Sequence, residues 1–231
     1  MIIVLHGENT IESRKVLVEK IKLFKEKGEE VVKFGGKKVD LTTIKQACEA
    51  RSFFGSDRLV VIERFFTRPK SRQKTGIENY IQSLPPEINI IFWEEKKLTP
   101  SQLKKFPSHA QIHHLKVQPV LFRFLDSLRP GNNKYMLTLL LDSNRVEAEE
   151  MIFYMLCRQI RLLIMAKDAN GKSLTGMPFW MKNKFINQSR YFSLEQLLEI
   201  HRQLLKIDYE QKTGRTIMPL SFHLDLLVAT L

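Results

Sequence analysis

The chain has 231 residues, enough for one or two domains and for a core that needs no disulfide or metal to staple it. Apolar residues make up 43% and charged residues 27%, which excludes a disordered chain. The formal charge of +12 is spread evenly, with 21 basic and 14 acidic side chains in residues 1–115 and 16 and 11 in residues 116–231. It is not a basic tail, and it suits a polyanionic or acidic partner such as nucleic acid.

Two cysteines, Cys48 and Cys157, stand far apart in apolar helical contexts, so a disulfide framework is excluded and a reducing cytosol is expected. No Cys/His cluster has zinc spacing, so no metal site is expected. His113 and His114 are adjacent and would point to opposite faces of a strand. The opening apolar run, residues 2–5, is too short for a signal peptide or a membrane span, which points to a cytoplasmic protein with no membrane partner.

In chain order, residues 2–5 read as a buried strand that runs through His6-Gly7-Glu8 into a helix. Asn9 and Glu12 have capping-box spacing, Ile11, Val18 and Ile21 mark the apolar stripe, and Gly28 stops the helix. Residues 31–34 form a second strand. Asp40 caps a helix over residues 41–51. Residues 59–62 are a third strand, and Ile77, Tyr80, Ile81 and Leu84 a short helix ending at Pro85-Pro86. Residues 88–93 are a fourth strand, Thr99-Pro100 opens a helix, and residues 111–115 are a weak last strand. Strands apolar on both faces and alternating with helices predict a parallel sheet covered by helices. After Pro119 strand signals stop. Helices are expected near residues 120–128, 133–142, 146–167, 178–188, 194–212 and 217–231. The expectation is an α/β domain over residues 1–117 and an all-α domain over residues 118–231.

A parallel α/β domain invites a phosphate loop after its first strand, Gly-x-x-x-x-Gly-Lys-Ser/Thr. Here that turn reads Gly7-Glu8-Asn9-Thr10-Ile11-Glu12-Ser13-Arg14-Lys15. The second glycine and the Gly-Lys-Ser core are missing, and Glu8 puts a negative charge where phosphates belong. Gly171-Lys172-Ser173 follows a helix in the second half and reads as a helix-stop turn. No nucleotide cofactor, catalytic triad or nucleophile elbow is expected. Glu94-Glu95, followed by Lys96-Lys97, reads as a solvated charged turn.

Two segments are candidates for partner contact. Arg64, Arg68, Lys70, Arg72 and Lys74 are five cations with no acid among them, interleaved with Phe65 and Phe66. They either contact nucleic-acid phosphates or an acidic partner, or form a solvated loop with the two aromatics folded inward. Phe53 and Phe54, flanked by Ser52 and Gly55, either plug and cover the end of the sheet or form an aromatic wedge for a partner's pocket.

The segment Ala50-Arg51-Ser52-Phe53-Phe54-Gly55-Ser56-Asp57-Arg58-Leu59-Val60-Val61-Ile62-Glu63 resembles the helix-to-strand connection of the delta subunit of the bacterial DNA polymerase III clamp loader. Val4-Leu5-His6-Gly7-Glu8-Asn9 is similar to that family's first strand and turn, and Ile90-Ile91-Phe92-Trp93-Glu94-Glu95-Lys96-Lys97-Leu98 to its fourth strand. In the second half, Leu156-Cys157-Arg158-Gln159-Ile160-Arg161-Leu162-Leu163, Tyr191-Phe192-Ser193-Leu194-Glu195 and Asp208-Tyr209-Glu210-Gln211-Lys212-Thr213-Gly214 resemble its C-terminal collar domain.

The resemblance implies an AAA+-like α/β domain whose first loop does not bind ATP, followed by a helical collar. It implies a non-catalytic subunit that binds and opens the sliding clamp, assembles with other loader subunits and meets DNA through the complex. Matched by position, Phe53 and Phe54 are the residues that wedge into the clamp, with Phe53 where the family often has Leu. The chain lacks the Ser-Arg-Cys motif of the related loader subunits, and it is short by the small middle helical domain that family members usually carry. The competing readings are a stand-alone basic nucleic-acid-binding protein and a divergent P-loop-like ATPase.

Overall fold

The computed structural model describes residues 1–49, 58–168 and 173–231, which form two units, 1–116 and 117–231. In the first, β1 (Ile2–His6), α1 (Thr10–Glu26), β2 (Glu30–Gly35), α2 (Leu41–Glu49), β3 (Arg58–Glu63), α3 (Arg72–Gln82), β4 (Asn89–Glu94), α4 (Pro100–Leu103) and β5 (Gln111–His114) alternate along the chain. The strands form one sheet in the order β2-β3-β4-β1-β5, and every neighbouring pair is parallel. Parallel strands need crossovers, and the helices supply them on both faces. Ile3, Leu5, Leu59, Val61, Ile91 and Trp93 meet Leu17 and Ile21 of α1. Ile2, Val4, Val60, Ile62, Ile90 and Phe92 meet Ile44 and Ala47 of α2 and Ile77 and Ile81 of α3. Successive strand residues alternate between these two cores, which is why the central strands read as unbroken apolar runs.

Two helices differ from the sequence expectation in ways that matter. α3 reaches back to Arg72, because Ser71 caps it by accepting from Lys74 N–H at 3.1 Å. Lys74, expected in a loop, is therefore helical. The last helix begins at Leu220 rather than near Ile217, because Pro219 is its extended N-cap and a residue preceding proline is held out of the helical region.

The second unit contains α5 (Pro119–Ser127), α6 (Asn133–Asn144), α7 (Glu149–Asp168), α8 (Phe179–Ser189), α9 (Leu194–Thr213) and α10 (Leu220–Ala229). α7 is its centre. Met151, Ile152, Leu156, Ile160 and Leu163 are buried, and α7 packs on each of the other five helices. A helix apolar around much of its circumference is stable only when surrounded in this way. Among the described residues no helix is long and apolar enough to cross a membrane.

Candidate functional site

The carboxyl end of the sheet is where a doubly wound domain places its chemistry. At the first turn, the backbone folds against the end of β5. Leu115 N–H donates to His6 O at 2.8 Å, and Asn9 N–H donates to Leu115 O at 3.1 Å. Gly7 has φ +136°, and a Cβ there would lie 2.0 Å from Leu115 O, so only glycine fits. The helix N-terminus that would face a phosphate is capped from within, since Asn9 Oδ1 accepts from Glu12 N–H at 3.0 Å. Arg14 leans away over Trp93, 4.7 Å from the ring centroid, and pairs with Glu63 at 2.8 Å. His6 and His114 stack in parallel beside this turn, 4.7 Å apart. Leu98 N–H donates to His6 Nδ1 at 3.2 Å, which leaves the proton of the neutral ring on Nε2. Burial, followed by the neighbouring His114, lowers the His6 pKa.

At the ends of β3 and β4 the five-cation segment divides. Phe65 and Phe66 fold inward and pack edge to face, 5.1 Å apart. Gly36 makes room for them, because a Cβ there would lie 2.4 Å from the Phe65 Cα. Lys74 is 7% exposed, and its ammonium donates to the carbonyls of Phe66 at 3.1 Å and Arg68 at 2.7 Å. Arg68 donates to Val39 O at 2.9 Å and to Gln73 Oε1 at 2.9 Å. Arg64 takes a left-handed φ of 61° and pairs with Glu95 at 2.5 Å. These three cations hold the segment in place. Lys70 and Arg72 are exposed and carry no ion pair among the described residues.

Glu94 is not part of a solvated turn. It is 1% exposed and accepts from Phe66 N–H at 2.9 Å. Burial pushes its carboxyl up to about 7, against the pull of the Phe66 and Phe65 N–H groups and of Lys74. Charge counting could not find this, because Glu94 and Glu95 look alike in sequence, yet Glu94 is the last residue of β4 and Glu95 lies beyond it. Phe53 and Phe54 lie outside the described residues, as do Gly171 and Lys172. Arg58, the first residue described after that segment, opens β3 and pairs with Glu30 at 2.6 Å.

In the helical unit the resembling stretches fall on α7, on the start of α9 and on its end. Gln159 of α7 donates to Gln188 Oε1 of α8 at 2.6 Å, and Gln188 donates to the Leu125 and Leu128 carbonyls at 2.7 and 3.3 Å. Ser193 and Gln196 form the capping box of α9, and Gly214 closes it with φ 66°. Arg215 lies over the Tyr209 ring at 5.0 Å. A groove of about 620 Å³ runs along α7 and α9, lined in part by Phe153, Tyr154, Cys157, Leu204 and Leu205. Burial pushes the Cys157 thiol up to about 11, which makes it an inert apolar lining group. The exposed aromatics Phe179 (77%) and Trp180 (65%) at the start of α8 had no sequence signal, since periodicity alone reads them as core.

Comparison with known proteins adds the family. Residues 4–116 match the model of the DNA polymerase III delta subunit, and residues 120–229 match that of the delta subunit's C-terminal domain. No curated protein matches the chain by sequence. Among solved structures it is similar to the DNA clamp loader delta protein YqeN of Bacillus subtilis, with 16% identity over 98% of this chain and 93% of that one and a TM-score of 0.49. It is also similar to a DNA polymerase III gamma subunit-related protein of Thermotoga maritima, with 17% identity over 99% of this chain and 92% of that one and a TM-score of 0.34. With the two delta-subunit models lying in order along nearly its whole length, the chain belongs to the DNA polymerase III delta subunit family of clamp-loader proteins.

Proposed function

We propose that this chain is the clamp-loader subunit that binds the ring-shaped sliding clamp and opens it for loading onto DNA. The match of both family models, in order, carries the reading. Residues 1–117 hold the clamp through Phe53 and Phe54, and residues 118–231 assemble with the other loader subunits, which hydrolyse ATP. The internally capped first turn supports a role that does not bind nucleotide. DNA is met by the assembled complex, with Lys70 and Arg72 the two cations of the basic segment available to phosphates. The subunit works in the cytoplasm.

The test is binding to the cognate sliding clamp together with thermal melting, on the wild type and on Phe53→Ala/Phe54→Ala. Each phenylalanine buried in an apolar pocket contributes roughly 1.5–3 kcal/mol, and central aromatic anchors cost about 2 kcal/mol or more when truncated. The double variant should bind the clamp about 10³-fold more weakly, at about 1.4 kcal/mol per tenfold, with its melting temperature nearly unchanged. A large melting drop with unchanged affinity of the folded fraction would show that the pair packs the protein's own core. Tight DNA binding by the isolated chain, with a steep salt slope and no clamp affinity, would favour the stand-alone nucleic-acid reading that its +12 charge also permits. Micromolar ATP affinity in calorimetry would favour the ATPase reading.

A further inference from the structure

One edge of the sheet in the α/β unit carries features apart from the site described above. β2 is an edge strand, and its outer side pairs with no other strand among the described residues. Gly36 N–H donates to Glu63 O of β3 at 2.7 Å. Backbone groups alternate sides along a parallel strand, so Val31 and Lys33 turn their own N–H and C=O groups toward the free edge. Beside that edge, α1 and β2 frame a groove of about 520 Å³ lined by Val18, Ile21, Lys22, Lys25, Glu26 and Lys33. Val18 is apolar yet 55% exposed. Three ammonium groups face one carboxylate, and Glu26 lies 3.7 Å from Lys22, so Lys25 and Lys33 are without an ion pair among the described residues.

We infer that this edge docks an extended acidic segment of another protein, added as a strand alongside β2 with an apolar side chain seated on Val18 and Ile21. Main-chain bonds to the Val31 and Lys33 backbone supply affinity, and the groove selects the side chain. The carboxylates of the segment face Lys25 and Lys33, which speeds encounter and fixes register. A second copy of this chain fits less well. Pairing β2 with its own copy brings the two sets of rim lysines together, and a lysine on an edge strand guards against such pairing.

The experiment uses the full chain and a fluorescein-labelled nonapeptide, Asp-Ser-Val-Ser-Asp-Ser-Val-Ser-Asp, whose odd positions put carboxylates and apolar side chains on one face of the strand, read by fluorescence anisotropy. The expected result is saturable binding that weakens about tenfold or more, about 1.4 kcal/mol, in Lys25→Glu/Lys33→Glu. The same peptide with Lys in place of each Asp should regain affinity for that variant, which a merely misfolded protein could not do. Clamp affinity should stay unchanged in the variant, so this inference and the clamp-binding reading fail separately. Val18→Asp should also lose the Asp peptide. The proposal is overturned by no saturable binding, by equal binding of nona-aspartate, or by a lysine variant that binds as the wild type does. It is equally overturned if sedimentation shows a concentration-dependent dimer that the lysine substitutions abolish.

Discussion

Each unit of the molecule ties its loops to its core through a buried polar cluster, and the two clusters use different chemistry. In the α/β unit the cluster is charged: Glu94 accepts from the Phe66 amide while Lys74 donates to the Phe66 and Arg68 carbonyls. In the helical unit it is neutral: Gln159 and Gln188 join α7 and α8 to the carbonyls at the end of α5. Both satisfy backbone groups that loops leave over inside a core. The charged one holds its loop against water only by burying ions, so its strength depends on pH and on each partner staying in place. The neutral one gives up that strength and is indifferent to pH.

The largest effect expected from breaking this contrast is at Lys74. Lys74→Met removes the cation beside Glu94 and leaves the Phe66 and Arg68 carbonyls without their donor. Removing one member of a buried charged cluster costs about 3–5 kcal/mol, which urea unfolding followed in the α/β unit should show. A loss near zero would mean that the ammonium is solvated rather than structural.

The pH dependence sharpens the difference next. The Glu94 carboxyl is raised to about 7 in the folded chain from an ordinary 4.5. The folded state therefore holds the proton more tightly, and Glu94 costs stability progressively as pH rises from about 4.5 to 7. Over that window the cost reaches about 3 kcal/mol, at about 1.4 kcal/mol per unit. Glu94→Gln should gain on the wild type by about that amount between pH 4.5 and pH 8 in parallel urea titrations. His6 acts with the opposite sign, because its lowered pKa favours the neutral ring and its contribution is lost as pH falls below about 6.5. A variant that tracks the wild type at every pH would place Glu94 in water.

In the helical unit, Gln188→Leu leaves the Gln159 amide and the Leu125 carbonyl unpaired. The expected loss is about 2 kcal/mol, the same at pH 5 and pH 8. A pH-dependent loss there would break the contrast between the two units. Gln159→Leu, which orphans only the Gln188 oxygen, should cost about 1 kcal/mol in the same assay.

Most of the element order was legible, and the reason lies in particular residues. Ile2, Ile3, Val4 and Leu5 are apolar on both faces because α1 covers one side of the sheet and α2 with α3 the other. Asn9 and Gly28 mark the ends of α1 because their local bonds need no tertiary partner. The basic segment was legible only as a choice between two fates. The structure divides it, with Lys74, Arg68 and Arg64 turned to carbonyls and carboxylates and Lys70 and Arg72 left exposed. The aromatic pair Phe53-Phe54 lies outside the described residues, so its role rests on the family resemblance and on the clamp experiment.

The sequence by itself determined the change from alternating strands and helices to helices alone, the ends of α1, and the loss of a phosphate loop. Each of these depends on neighbours a few residues apart, where periodicity, capping and glycine spacing act. Only the tertiary structure decided the order β2-β3-β4-β1-β5, the burial of Glu94 and Lys74, the glutamine bridge, and which strand keeps a free edge. Those outcomes join residues far apart in the chain. Whether a charge is solvated or buried is set by what the rest of the fold brings beside it, and local sequence carries no record of that.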